Sequence, residues 1–312
     1  MTKREIGKLR VNDKMKLAIN TDDIKKLKIL SQDEFNGVRR CVASNENTPI
    51  NMLRELAKDE TFVVRAYVAD NINCPKDLLE TLAKDEHKDV RDVAIAKNKN
   101  TPADVLRELS KDANYLVKNC IAENTNTPKD VLFELSEDEN KHIRNYVAKN
   151  PNTAQETLRK LSEDEYKYTR ESVGANPNTP IDVLEILAKD KDFNIRENVA
   201  KNPNSSENIL RDLSKDSMCK EKVASNINCP QDLLVELSKD CSSSARESIA
   251  QHPNTPIDAL EILSKDYFEK VRKNVALNKN TPIEILVELS QDKNNDVKEV
   301  ALNQLKNRVN SR

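Results

Sequence analysis

A cation recurs through this chain at Arg39, Arg65, Arg91, Lys118, Arg144, Arg170, Arg196, Lys220, Arg246, Arg272 and Lys298. An aspartate recurs with it, at Asp33, Asp59, Asp85, Asp112, Asp138, Asp164, Asp190, Asp216, Asp240, Asp266 and Asp292. Two chemistries fit such a pattern. Stacked cations could track a phosphate backbone. The matched carboxylates could instead neutralise them as an internal ladder, and the equal count of eleven each favours the ladder. Arg196 precedes Ala200 by one helical turn, so its stem can run over a small residue at the margin of a core.

The other reactive side chains are dispersed. His87, His142 and His252 lie too far apart in sequence to share a metal or a catalytic centre. Cysteines fall at 41, 74, 120, 219, 229 and 241 with no CxxC pair. Cys41 and Cys120 occupy equivalent places three repeats apart, which rules out a bridge between them. These thiols are expected to be reduced, in a cytoplasmic protein. Carboxylate pairs are so frequent in a chain that is 33% charged that their proximity carries no signal for acid–base work. No catalytic, metal-binding or cofactor-binding residue is assigned, and no cofactor is expected.

The elements that place these residues are repeated. Units begin at Thr21, Thr48, Cys74, Thr101, Thr127, Thr153, Thr179, Ser205, Cys229, Thr255 and Thr281, at steps of 24 to 27 residues. Such a period predicts a solenoid. The organisation expected is an N-terminal cap over residues 1–20, an unbroken array over 21–304, and a C-terminal tail over 305–312. Within a unit, Thr179-Pro180-x-Asp182 predicts a helix start, with Thr as the N-cap and the carboxylate closing a capping box. Leu184 and Leu187 follow on one face, and their counterparts run from Leu27 and Leu30 to Leu286 and Leu289. A second, shorter helix then buries Ile195 and Val199, and Asn202 is expected to end it in the left-handed conformation.

Irregularity is expected between residues 153 and 228. There Ala154 and Ser206 replace Pro, Thr169 replaces an apolar residue, Gly174 replaces Ala, and a deletion falls near Met218. Composition agrees with a thin helical core: 37% hydrophobic, 4% aromatic, three glycines and no Trp. The net charge of −2 argues against a generally basic nucleic-acid binder. Residues 1–28 carry nine basic against four acidic side chains, read as a solvated capping helix. No apolar run approaches the ~18 residues of a membrane span, and the basic start lacks the apolar core of a secretory signal.

The recurring string VRxxVAxNxNTPxDxLxxLxxD closely resembles the leucine-rich repeat variant family over about residues 21–304. The resemblance implies a right-handed superhelix of alternating α and 3₁₀ helices without strands, the second segment carrying the 3₁₀ character. That family's founding type holds an iron–sulfur cluster on a cysteine-rich N-terminal segment. Residues 1–40 here contain no Cys, so no cluster is carried over. HEAT-like helical repeats are the architectural alternative.

The function expected is a non-catalytic scaffold for an unidentified protein or peptide. A nucleic-acid binder using the Arg/Lys ladder is the first alternative. A helical-repeat DNA-repair type of enzyme is disfavoured by the acidic balance, the absent Trp and the lack of a pocket motif. Two candidate surfaces emerge. Eight of the eleven aromatics fall in the turn between the two helices: Phe35, Phe62, Tyr115, Tyr166, Tyr168, Phe193, Tyr267 and Phe268. The position before the buried Val of the second helix reads Cys41, Tyr67, Val93, Cys120 and Tyr146, then Ser172, Asn198, Lys222, Ser248 and Asn274. Its apolar half is expected to be partly exposed and to form a docking stripe.

Overall fold

The computed structural model describes residues 1–91, 96, 98, 101–111, 115–239 and 242–310. It divides into two compact halves, Met1–Thr157 and Leu158–Arg312. Each half is built from repeating helix pairs, and no strand occurs among the described residues.

The leading helix of a repeat is short, as in Ile50–Leu56 and Ile181–Leu187. Its two leucines point inward: Leu53, Leu56, Leu184 and Leu187 are all buried, as are their counterparts in every repeat. The trailing helix is longer, nine residues in Phe62–Asp70 and Phe193–Lys201 against seven in the leading helices, and it is α-helical. The second helix is therefore the longer of the two, contrary to the sequence expectation. Tighter bonding occurs at its two ends, where the Val64 N–H donates to Thr61 O at 3.0 Å and the Asn71 N–H to Val68 O at 3.2 Å. Its apolar pairs, such as Val64 with Val68 and Ile195 with Val199, are buried against the leucines.

Two capping roles differ from those the sequence predicts. Pro, not Thr, is the N-cap of the leading helix, with Pro49 at φ −64°, ψ 148°. The Thr before it turns back instead. Thr48 Oγ1 donates to Val42 O at 2.6 Å and Thr179 Oγ1 to Val173 O at 2.6 Å. Burial at this position leaves the hydroxyl within reach of the end of the preceding helix, so it caps that end. The terminal Asn is not left-handed either. Asn45, Asn71 and Asn202 are extended, with φ between −74° and −65° and ψ between 126° and 130°.

The ends of the chain are part of the pattern. Helix Val11–Asn20 behaves as the trailing helix of a preceding repeat: Ala18 is buried, and Lys14 reaches Asp33 at 2.8 Å. Lys14 is thus a buried member of the charge ladder rather than a solvated cation of a capping helix. Residues 305–310 extend the last helix, Asn295–Asn310. Arg308 donates to the carbonyls of Thr281 and Lys279 at 2.5 and 3.1 Å, covering groups that a further repeat would otherwise bind.

Irregular positions between 153 and 228 have distinct local outcomes. Ser206, in the place of Pro, accepts from the Ile209 N–H, so its cap is retained through the side chain. The trailing helix Lys220–Ser225 is shortened to six residues. Thr169 is fully buried, and its hydroxyl has no hydrogen-bond partner among the described residues. A Cβ added at Gly174 would meet Ile195 O and Val199 Cγ2 at 3.5 Å, ordinary contact distances. Gly174→Ala is therefore expected to raise stability by about 0.5–1 kcal/mol, by removing helical glycine without a clash. Urea denaturation checks this, and a lowered midpoint would show that the neighbouring backbone cannot accept the methyl.

Candidate functional site

The recurring polar residues come together between repeats, where they form three ladders. In the first, seven of the recurring cations reach the Asp of the following repeat among the described residues. The pairs are Arg39–Asp59 at 2.6 Å, Arg65–Asp85 at 2.7 Å, Lys118–Asp138 at 2.7 Å, Arg170–Asp190 at 2.8 Å, Arg196–Asp216 at 2.7 Å, Arg246–Asp266 at 2.5 Å and Arg272–Asp292 at 2.6 Å. A second guanidinium nitrogen holds the chain of its own repeat, as Arg65 Nη1 does with Asp59 O at 2.7 Å. The carboxylate is doubly used as well. Its other oxygen accepts the N–H two residues on, at 2.9 Å for Thr61 on Asp59, which folds the turn between the helices. Asp112 and Asp240 lie outside the described residues.

These contacts set the ionisation of the ladder. At Asp59, burial pushes the carboxyl up, but the Arg39 bond and the Thr61 N–H outweigh it and hold it below the ordinary value of 3.8. At Asp292 the Arg272 bond is the largest influence and lowers the carboxyl. Arg39, Arg65 and Arg272 are correspondingly raised by the hydrogen bonds to their carboxylates. These paired, mostly buried guanidiniums are not presented to a phosphate backbone.

The second ladder is made of asparagines. Asn71 Nδ2 donates to Ala43 O and Asn45 O of the preceding repeat at 2.7 and 3.0 Å. Asn202 Nδ2 does the same with Gly174 O and Asn176 O at 2.8 and 2.9 Å. The amide oxygen accepts the N–H two residues later, Asn204 onto Asn202 at 2.9 Å. His252 takes this place in one repeat. Its Nδ1 accepts from the Asn254 N–H at 3.1 Å, which assigns the proton to Nε2, 2.9 Å from Asn226 O. The second Asn of the NxN motif adds a parallel bond, as between Asn228 Nδ2 and Pro203 O at 2.6 Å.

The third ladder is exposed. Arg54, Arg107, Arg159 and Arg211 on the leading helices reach Asp77, Asp130, Asp182 and Asp232 of the next repeat at 2.7–2.9 Å. Sequence reading missed it because the arginine recurs only in alternate repeats.

The aromatic turn residues sit where expected, at the N-terminal ends of trailing helices. Phe35, Tyr115, Tyr168, Phe193, Tyr267 and Phe268 are exposed, and Phe62 and Tyr166 are half-buried. Phe62 stacks on His87, with centroids 3.6 Å apart and an interplanar angle of 8°. His87 therefore belongs to this edge. The signal was its register, two residues after Asp85 as Phe35 is after Asp33. Tyr166 and Tyr168 lie 5.1 Å apart, and Tyr267 meets Phe268 edge-on at 5.4 Å.

The second stripe is only partly at the surface. Cys41 and Cys120 are buried, which corrects the exposure expected of them: small side chains here are covered by the neighbouring trailing helix. Tyr67 is 38% exposed beneath Arg40, and Tyr146 is half-buried beside Lys149. Val93 lies outside the described residues. Further along, Ser172 and Asn274 are also buried. Burial pushes the thiols of Cys74, Cys219 and Cys229 up to about 12, so they are inert packing groups at neutral pH. No cluster able to hold a metal, and no helix long and apolar enough to cross a membrane, occurs among the described residues.

Stacked two-helix repeats joined by side-chain ladders make this an all-α repeat protein of the α-solenoid class. No model of a known protein family matches the chain, and no curated protein does. Among solved structures it resembles a leucine-rich repeat variant described as a novel repetitive structural motif: 25% identity, covering 72% of this chain and 85% of that one, TM-score 0.45. It is also similar to a Kap95p–RanGDP structure (10% identity, 97% and 44% covered, TM-score 0.32) and to a Pds5–Scc1 complex (15%, 97% and 57%, 0.28).

Proposed function

We propose that the chain is a non-catalytic scaffold that binds a protein or peptide along its repeat-built surface, in the cytoplasm. One observation carries this reading: the polar residues that recur are occupied in joining repeats, as Arg272–Asp292 and Asn202 illustrate, whereas side chains that vary in the turn between the helices, such as Phe35, Tyr115 and Tyr267, are exposed. A surface made of variable side chains on a regular frame suits recognition of an extended partner. The free cysteines, with no CxxC pair among them, suit a reducing compartment. The occupied ladder gives the nucleic-acid reading no support.

Within that reading, the N-terminal docking elements are the rings of Tyr67 and Tyr146, together with the aromatic turn edge that begins at Phe35 and Phe62. Tyr67→Ser with Tyr146→Ser is expected to lower partner capture about tenfold while the melting temperature shifts little, because partly exposed rings contribute more to hot spots than to the core. Quantitative pull-down on the wild type and the double variant, with circular dichroism on both, tests this. Unchanged capture by a correctly folded variant counts against these tyrosines as the contact.

A further inference from the structure

The exposed arginine–aspartate ladder stops at Asp232. Beyond it the fifth residue of the leading helix reads Val235, Glu261 and Val287, so no arginine answers the acids that follow. Three successive leading helices, Gln231–Ser238, Ile257–Leu263 and Ile283–Leu289, contain carboxylates and no Lys or Arg. Glu236, Asp258, Glu261, Glu284 and Glu288 are exposed, and none has an ion-pair partner among the described residues. Elsewhere on this face the same register carries Arg54, Arg107, Arg159 and Arg211.

The first, second, fifth and sixth positions of these helices face outward, all exposed except half-buried Val235 and Ile262. At about 100° per residue they span one continuous face. The first and fifth positions of the last two helices form an aliphatic row broken only by Glu261. Ile257 is 51% exposed, Ile283 38% and Val287 52%, and Val287 lies one turn beyond Ile283. The second and sixth positions form a parallel acidic row through Asp258, Glu284 and Glu288, in which half-buried Ile262 is the exception. Like charges so placed repel one another, and the aliphatic row beside them is left in water. Both conditions are relieved by a segment that brings cations to one row and apolar side chains to the other.

We propose that this face docks a Lys/Arg-rich amphipathic segment of a protein partner. The charge that the face lacks fixes the sign of the partner, and the aliphatic row requires it to be apolar along one side. A phosphate backbone or an anionic lipid surface carries the wrong sign. The proposal rests on the scaffold reading and adds to it the location and chemistry of one contact.

Fluorescence anisotropy of a labelled, helix-forming Lys/Leu peptide, titrated with the full chain, is the test. A Glu/Leu peptide of the same pattern is the control. Binding of the basic peptide should weaken with added salt, and Glu284→Lys with Glu288→Lys should reduce its affinity about tenfold or more. Glu55→Lys with Glu108→Lys makes the same change in net charge on the other half, and should alter affinity by no more than about twofold. These substitutions are at exposed positions, and circular dichroism confirms that each variant is folded. Equal loss in both variants, equal binding of the two peptides, or no binding of the basic one overturns the proposal. If the basic peptide fails while Tyr67→Ser with Tyr146→Ser still removes partner capture, this docking face falls and the scaffold reading stands.

Discussion

Asn202→Ala is expected to destabilise the chain by about 3–5 kcal/mol, far more than its small loss of volume would suggest. The side chain is 2% exposed and makes three hydrogen bonds, two donated to Gly174 O and Asn176 O and one accepted from Asn204 N. Alanine removes all three and strands carbonyls in a place closed to water. A net bond is worth about 1 kcal/mol, and each buried orphan adds roughly 1–3. Because repeats contact only their neighbours, the damage should be local, with an early urea transition and faster hydrogen exchange around residues 174–204. Asn202→Asp should be similarly harmful, since a carboxylate cannot donate. A loss below about 1 kcal/mol for Asn202→Ala would mean that water or relaxation replaces the amide.

Arg272→Ala is expected to cost about 3–5 kcal/mol, whereas Arg159→Ala should cost about 0–1. Both arginines grip an Asp of the next repeat in the same way, at 2.6 and 2.9 Å. Burial separates them. The side chains of Arg272 and Asp292 are 6% and 8% exposed, against 48% and 58% for Arg159 and Asp182. Removing Arg272 also frees Asp266 O and Tyr267 O from their donor.

Acid should erode the inner ladder. The folded chain holds the Asp59 and Asp292 carboxyls below 3.8, so it binds fewer protons than the unfolded chain in that window. Their contribution is full above the ordinary value and is lost as the pH falls through the lowered one. Arg272→Ala should make stability less sensitive to acid in the same range.

Much of this frame is legible in the sequence. Leu184 and Leu187 declare a buried face by spacing alone, and the equal recurrence of Arg and Asp announces their pairing. The asparagine was misread for a physical reason. Recurrence at the end of a helix suggests a backbone role, but the carbonyls that Asn202 binds lie 26 and 28 residues back, in the neighbouring repeat. The Thr179 hydroxyl was assigned to the wrong helix because a Thr-Pro pair is compatible with either end, and only burial decides. Cys41 shows a similar limit: helical periodicity gives its angle, but not how closely the adjacent trailing helix packs.

The central claim, that the recurring charges hold repeats to one another, is tested most directly by a double-mutant cycle on Arg272 and Asp292. Urea denaturation of the wild type, Arg272→Met, Asp292→Asn and the double variant gives the coupling energy. The account predicts about 2 kcal/mol or more, with the double variant less damaged than the sum of the singles. Additive effects, with coupling near zero, would contradict it and return the cations to the pool of candidate ligand-binding groups.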